Sequence, residues 1–414
     1  MSQSSLPAML YPFARPTATE FLRIVRGEGT LVFDDEGNDY VDATSSLWFA
    51  TVGHGRTQIA DAVAAQMSRL AAFHTFERFS NDIVEELSEL LVADAPMDDA
   101  RVFFTNSGSE AADTGIKIAR AARTLQGKPE KSIIVAVDGA FHGVSYAGIS
   151  VGGIQDNKNR FGATLPDVIH VPRHDIDALR AVFEEHGDRI ALFMIEPVLG
   201  AAGVYPPPEG FLKQVRELCD EHDVWLLFDE VVTGFGRLGT MWASRYFDVR
   251  PDLVMFAKGV TSGYFPMGGV FVGADVRAAL ESDPEFLLRH GHTYSGHPAA
   301  SAAALANIRI LREENLIANV PHIGARIREG LDAIHADGLV DAVRSEGAMC
   351  AVQLPENVEA VDIRERMIAN DRVIVRAIGR STIAMSPPFV TTDEQIDRIL
   401  AALRRALEDV HAGR

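Results

Sequence analysis

Lysine is scarce in this chain of 414 residues: six lysines stand against thirty-three arginines among its 39 basic side chains. Cysteine is scarcer still, with only Cys219 and Cys350. Two cysteines cannot build a disulfide framework, and their spacing fits no zinc pattern, so no metal site is expected. A reducing compartment is the simpler reading. Positive charge is short overall, and the formal net charge of −19 argues against nucleic acid as a partner, because phosphate binding needs a basic surface. That charge suits small uncharged or cationic molecules. No uninterrupted apolar run reaches the length of a membrane span. The N-terminus lacks the charged-then-apolar pattern of a signal peptide, and prolines interrupt it early. We therefore expect a cytoplasmic protein with no membrane partner.

What is present is enough apolar residue, 47% of the chain, for a large core. The length suggests about two to three domains. Residues 1–26 read as an irregular arm with one short helix. A hairpin with a glycine turn follows, Thr30–Asp34 against Asp39–Asp42, and residues 57–72 carry helical apolar spacing. From about residue 100 strands alternate with helices. Strands are expected at Val102–Thr105, Ile133–Val137, Val168–Val171, Leu192–Ile195, Trp225–Asp229, Leu253–Ala257 and Gly269–Val272, and helices at 109–125, 175–186 and 209–222. Such alternation predicts an α/β fold with a mostly parallel seven-stranded sheet covered by helices on both faces. After Pro298 an alanine-rich helix (Ala299–Leu311) begins. The remainder mixes helices (318–335, 362–370, 393–409) with short strands (349–354, 373–376, 382–385). The expected division is an arm and hairpin at 1–45, a large domain at 46–298, and a smaller α+β domain at 299–414 with which the N-terminal segment packs.

Four motifs fall at predicted strand ends, where open α/β sheets bind ligands. Lys258 ends the apolar run from Asp252 and precedes Gly259. Desolvation lowers a lysine pKa, so an amine held there can attack a carbonyl; a snorkelling lysine would look the same locally. Asn106-Ser107-Gly108-Ser109-Glu110-Ala111 opens a helix with three small residues. Their exposed N–H groups and the helix dipole make an anion site suited to phosphate, or else Ser107 or Ser109 is a plain cap. The strand Trp225–Phe228 delivers Asp229, a carboxylate that needs a cationic or N–H partner if buried; a protonated heterocycle or the following loop would serve. In Gly139-Ala-Phe141-His142-Gly143 an aromatic ring between glycines can lie against a planar ligand. Read singly, Phe141 is a core residue and His142 a turn residue. Together the four supply what pyridoxal phosphate (PLP) requires for its phosphate, ring nitrogen, ring face and aldehyde. A protonated ring nitrogen is what lets that cofactor withdraw electrons.

The run Asp229-Glu-Val-Val-Thr-Gly-Phe-Gly-Arg237, then Pro251-Asp252 and Ala257-Lys258-Gly259, resembles the signature of class III aminotransferases, which are fold-type I PLP enzymes. Ser107–Ala111, Phe141–Gly143, Glu196-Pro197-Val198 and Gly291–Pro298 extend the likeness over nearly the whole chain. The resemblance implies that Lys258 bonds the cofactor aldehyde and then shuttles a proton, and that Asp229 pairs with the ring nitrogen. It implies further that Phe141 and Val231 sandwich the ring, that His142 belongs to the same cofactor site, and that Ser107, Gly108 and Ser109 hold the phosphate. Thr293 would reach the phosphate from a neighbouring subunit, which implies a homodimer or a tetramer of dimers.

Substrate choice turns on departures from the pattern. Ala201 stands where enzymes acting on ornithine or 4-aminobutyrate carry a second glutamate, and Val232 where they carry a glutamine. Leu47-Trp48 through Gly55, and Val375-Arg376-Ala-Ile-Gly379 with Ser386-Pro-Pro388, instead resemble ω-amino acid:pyruvate and amine:pyruvate aminotransferases. There the tryptophan walls the pocket, and a mobile arginine binds the keto-acid carboxylate, then swings out for an apolar amine. Without that likeness Trp48 would read as core and Arg376 as a surface residue. The expected reaction is ping-pong transfer from an ω-amino acid, diamine or primary amine to a keto acid, pyruvate. Trp48-Phe49 keeps a 7,8-diaminopelargonate synthase reading alive, and a non-enzymatic binding protein of the same fold is the alternative from another class.

Overall fold

The computed structural model describes residues 6–412. In chain order, β1 (Ile24–Glu28), β2 (Leu31–Asp34) and β3 (Asp39–Asp42) come first. Then come β4 (Arg101–Thr105), β5 (Ile133–Val137), β6 (Val168–Val171), β7 (Ile190–Ile195), β8 (Trp225–Asp229), β9 (Leu253–Phe256) and β10 (Gly268–Val272). The C-terminal segment adds β11 (Ala342–Glu346), β12 (Met349–Gln353), β13 (Val373–Ile374), β14 (Arg376–Ile378) and β15 (Thr382–Met385).

Strands β4 to β10 form the central sheet in the order β4-β10-β9-β8-β7-β5-β6. Only β10 runs against its neighbours, β4 and β9; the other pairings are parallel. The strands β5, β7, β8 and β9 are buried throughout, as a sheet covered on both faces requires. Successive side chains point to opposite faces, so the sheet serves two cores. Ile134, Ala136, Leu192, Met194, Leu227 and Met255 meet the helix Gly108–Leu125 on one side. Val135, Phe193, Ile195, Phe228 and Phe256 face the other, larger core.

Two smaller sheets flank it. One joins β1-β2-β3 to β13, with Val373 and Ile374 pairing in parallel with Val41 and Asp42. The other is antiparallel, β11-β12-β15-β14. The single strand expected at 373–376 is therefore two, divided at Val375 between different sheets. The short helix expected in the N-terminal arm is absent among residues 6–26, which run through turns into β1; residues 1–5 of the arm lie outside the described residues. Pro7, Pro12 and Pro16 remove donors and fix φ at the spacing of a helical turn. A helix at Asp82–Ala93 was not anticipated. Its cap is Asn81, whose side chain accepts from Val84 N at 3.0 Å, and it buries Val84, Leu87 and Leu91. Among the described residues no helix is long and apolar enough to cross a membrane.

Candidate active site

Strand β9 ends at Phe256, and Lys258 follows in a left-handed conformation, φ 45°, opening a tight turn to Val260. A side chain bearing Cβ adopts this backbone only when its surroundings impose it. The imposing group is Asn307, fully buried in the helix Pro298–Glu313. Its Nδ2 donates to Gly259 O at 2.8 Å and to Val260 O at 3.0 Å. Its Oδ1 accepts from Ser262 Oγ at 2.7 Å. Burial pushes the Lys258 amine below the ordinary lysine range; Asp229 and Glu196 oppose that shift, and Arg376 adds to it.

Asp229 stands at the end of β8, 4% exposed. Its Oδ1 accepts from Val231 N at 3.0 Å and its Oδ2 lies 2.8 Å from His142 Nδ1. One strand over, the apolar β7 delivers a second carboxylate, Glu196. Glu196 Oε1 accepts from Phe141 N and Oε2 from Gly200 N, both at 2.9 Å. Burial, reinforced by Asp229, pushes the Glu196 carboxyl up to about 7, while His142 and the two N–H donors pull the other way. One buried acid thus anchors both the loop carrying Phe141 and the turn carrying Gly200.

At the end of β4 the helix Gly108–Leu125 begins. Ser107 caps it by accepting from Glu110 N at 3.2 Å, and Glu110 Oε2 accepts from Asn106 N at 2.7 Å. The arrangement resembles a capping box, except that the glutamate reaches one residue further back, to the N–H before the cap. Beyond it the first turn still presents N–H groups at the positive end of an 18-residue helix, the setting that binds phosphate. A Cβ on Gly108 would meet both methyls of Val231 at 3.2 Å, so glycine keeps this corner open.

These groups converge on one cavity of about 490 Å³. Its lining contains Lys258, Asp229, Ser107, Gly108, Ser109, Phe141, His142, Val231, Trp48 and Arg376. Ala201 and Val232 line it as well. Thr293 does not: it lies exposed on the loop before Pro298 and outside this cavity. Sequence reasoning assigned no role to Glu196, Asn307 or Phe13, the last reaching the cavity from the arm. Glu196 carried the same signal as Asp229, a carboxylate closing an apolar strand. Asn307 was visible only as a lone amide in an alanine-rich helix.

The model of the class-III aminotransferase family matches residues 13–407. The chain belongs to that family. This aminotransferase is 34% identical to the putrescine–pyruvate aminotransferase of Pseudomonas aeruginosa, over 94% of the chain and 91% of the relative. It is likewise 34% identical to the omega-amino acid–pyruvate aminotransferase of Pseudomonas putida, over 98% and 96%. Among solved structures, an amine transaminase from an uncultivated Pseudomonas species in its PLP-bound form shares 32% identity, with a TM-score of 0.92 and coverage of 98% and 99%. The α/β architecture is therefore that of the fold-type I transaminases. Class-III aminotransferases depend on PLP, and the residues here fit it: an anion-binding helix start, a buried carboxylate, a glycine-opened corner and an amine of lowered pKa share one cavity.

Proposed function

We propose that this aminotransferase takes an amino group from an ω-amino acid, a diamine or a primary amine and gives it to pyruvate in a ping-pong cycle. The observation that carries the substrate class is the pairing of Arg376 with the uncharged side chains of Trp48, Ala201 and Val232. Arg376 lines the cavity beside Trp48, Ala201 and Val232. Among the described residues it has no carboxylate partner, and burial with the nearby Arg364 pushes its guanidinium below the ordinary range. An unpaired guanidinium is the natural seat for a keto-acid carboxylate. The side chains of Ala201 and Val232 add no carboxylate to compete for it.

When bound, PLP supplies the electron sink that stabilises charge at the substrate Cα. In our reading Asp229 would pair with the ring nitrogen and keep it protonated, with His142 and Val231 N fixing the carboxylate. Ser107, Gly108 and Ser109 would hold the phosphate, and Phe141 and Val231 would hold the ring. Lys258 would bind the aldehyde and carry the proton at the substrate Cα, a task suited to an amine of lowered pKa.

A homodimer accompanies this proposal. Phe73, Phe76 and Phe79 are each more than 40% exposed, and Phe76 packs near Gly291, on the loop that carries Thr293. An exposed aromatic patch of this kind marks a protein interface. A second copy seated there would carry Thr293 towards its partner's phosphate site. We place the protein in the cytoplasm, a reading that two buried, unpaired cysteines favour.

The test is spectroscopic. The holoenzyme's visible band should shift on adding an amine donor and return on adding pyruvate. A protein that neither binds PLP nor shifts sinks the proposal. A donor panel containing S-adenosylmethionine separates the diaminopelargonate synthase reading. Against that reading, Phe49 does not line the cavity and packs instead where a Cβ on Gly263 would fall.

A further inference from the structure

Trp48 walls the cavity on a backbone that opposes it. Ser45, Ser46 and Trp48 have φ values of 48°, 58° and 66°. None is glycine, and three left-handed residues within four positions persist only where the surroundings over-determine them. The indole itself contributes no anchor: Trp48 is 4% exposed, yet its Nε1 is buried without a hydrogen-bond partner.

The surroundings that fix this turn form a closed ring of hydrogen bonds behind it. Arg237 Nη2 donates to Ser45 Oγ at 3.2 Å, and Ser45 Oγ donates to Ser386 O at 2.7 Å. Ser386 Oγ donates to Ala348 O at 3.0 Å, and Ala348 N donates to Arg237 O at 3.1 Å. Arg237 Nη1 closes a second link to Pro387 O at 2.7 Å. The members are Ser45, Arg237, Ala348 and Ser386, drawn from four separate segments and all buried. Among the described residues Arg237 has no ion pair; its guanidinium lies 4.8 Å from the Phe389 ring centre, and burial pushes its pKa down to about 9. A cation kept at that cost, with its donors spent on a serine and a carbonyl, indicates a geometric task. In front, the indole lies directly on Gly200: a Cβ there would sit 2.2 Å from Trp48 Cζ3. Glu196 pins that glycine through its N–H.

We propose that the Arg237–Ser45–Ser386 ring is the positioning device that sets how far Trp48 reaches into the cavity, and thereby the size of amine the pocket admits. Arg237, Ser45 and Ser386 line no part of the cavity, so they act through Trp48 and not on substrate. The inference rests on the proposed reading of Trp48 as a wall of the substrate pocket.

Ser45→Gly is the decisive variant. Glycine accepts the positive φ without strain, so the hydroxyl is lost and the ring opens while the backbone is relieved. Two readouts separate positioning from mere support. The first uses apoprotein: fluorescence of Trp48, obtained by subtracting the spectrum of the matching Trp48→Phe protein, should shift to the red and be quenched more readily by acrylamide. The second uses holoenzyme: the ratio of kcat/KM for 1-phenylethylamine to that for β-alanine should rise by about tenfold, the scale on which a hydrophobic pocket discriminates bulk. Ser386→Ala substitutes if Ser45→Gly does not fold. Lowered thermal stability with quenching and ratio both unchanged would overturn the inference and leave the ring a structural feature only. If the wild-type holoenzyme transaminates no donor, the proposed function fails while the fluorescence arm still decides the ring.

Discussion

Buried ionisable residues in this enzyme divide by what their environment asks of them. Lys258 lines the cavity, and burial holds its amine below the ordinary lysine range. On the roles proposed for Lys258, Lys258→Ala should lower turnover by about 10³-fold or more, because both would be lost together; single-turnover assays of the amine-induced spectral change check this. Asn307→Ala would strip two buried carbonyls of their donor beside Lys258. We expect a loss of roughly 1–3 kcal/mol in stability together with a lower kcat, measured by urea unfolding and steady-state kinetics. Glu230 has a different task. It accepts from Ala243 N and Ser244 N, and burial pushes its carboxyl up to about 7. Its folded pKa thus exceeds the unfolded value. Its contribution to stability is full below the unfolded pKa of about 4.5 and is lost as pH rises through about 7. Glu230→Gln should therefore flatten the fall in apoprotein stability across that window, by an amount on the order of a few kcal/mol. An unchanged slope in urea titrations would count against the assignment.

At the level of elements, the helix Gly108–Leu125 couples a cap to the proposed phosphate site. Ser107→Ala removes the acceptor for Glu110 N and should cost about 1 kcal/mol of stability; it should also weaken PLP binding, as equilibrium dialysis would report. The central sheet was legible from sequence because its strands are short apolar runs closed by chemistry-bearing residues: Asp229 after Phe228, Glu196 after Ile195, the serine loop after Thr105. Position on the sheet edge then followed from the parallel topology. The antiparallel small sheets were less legible. Strand β11 is only partly buried along its length, so it carries no apolar run. At Val373–Ile378 one continuous β-rich stretch serves two sheets, and only the tertiary partners Val41 and Ala384 reveal the division. The arm differs for a simpler reason: Pro7, Pro12 and Pro16 remove the donors that the short helix expected there would need. The ring behind Trp48 could not be read at all, because Ser45, Arg237, Ala348 and Ser386 meet only after folding.

For the whole molecule, the apolar residues left outside the core carry the next expectation. The patch Phe73, Phe76 and Phe79 should be covered by a second copy, so sedimentation should report at least a dimer. Phe76→Glu should shift the population towards monomer and weaken cofactor retention at the same time, if the Thr293 loop serves the partner's site. The pairing of β3 with β13 bears on how such a molecule comes into being. Val41 waits for Val373, and Ser45 waits for Ser386. At a synthesis rate of roughly 5–20 residues per second, the first partner leaves the ribosome about 20–70 s before the second. The ring behind Trp48 therefore closes only after Ser386 has been made. On the proposed role of the ring, substrate selection is the last property the growing chain acquires, because Ser386 must be made before Ser45 has its acceptor.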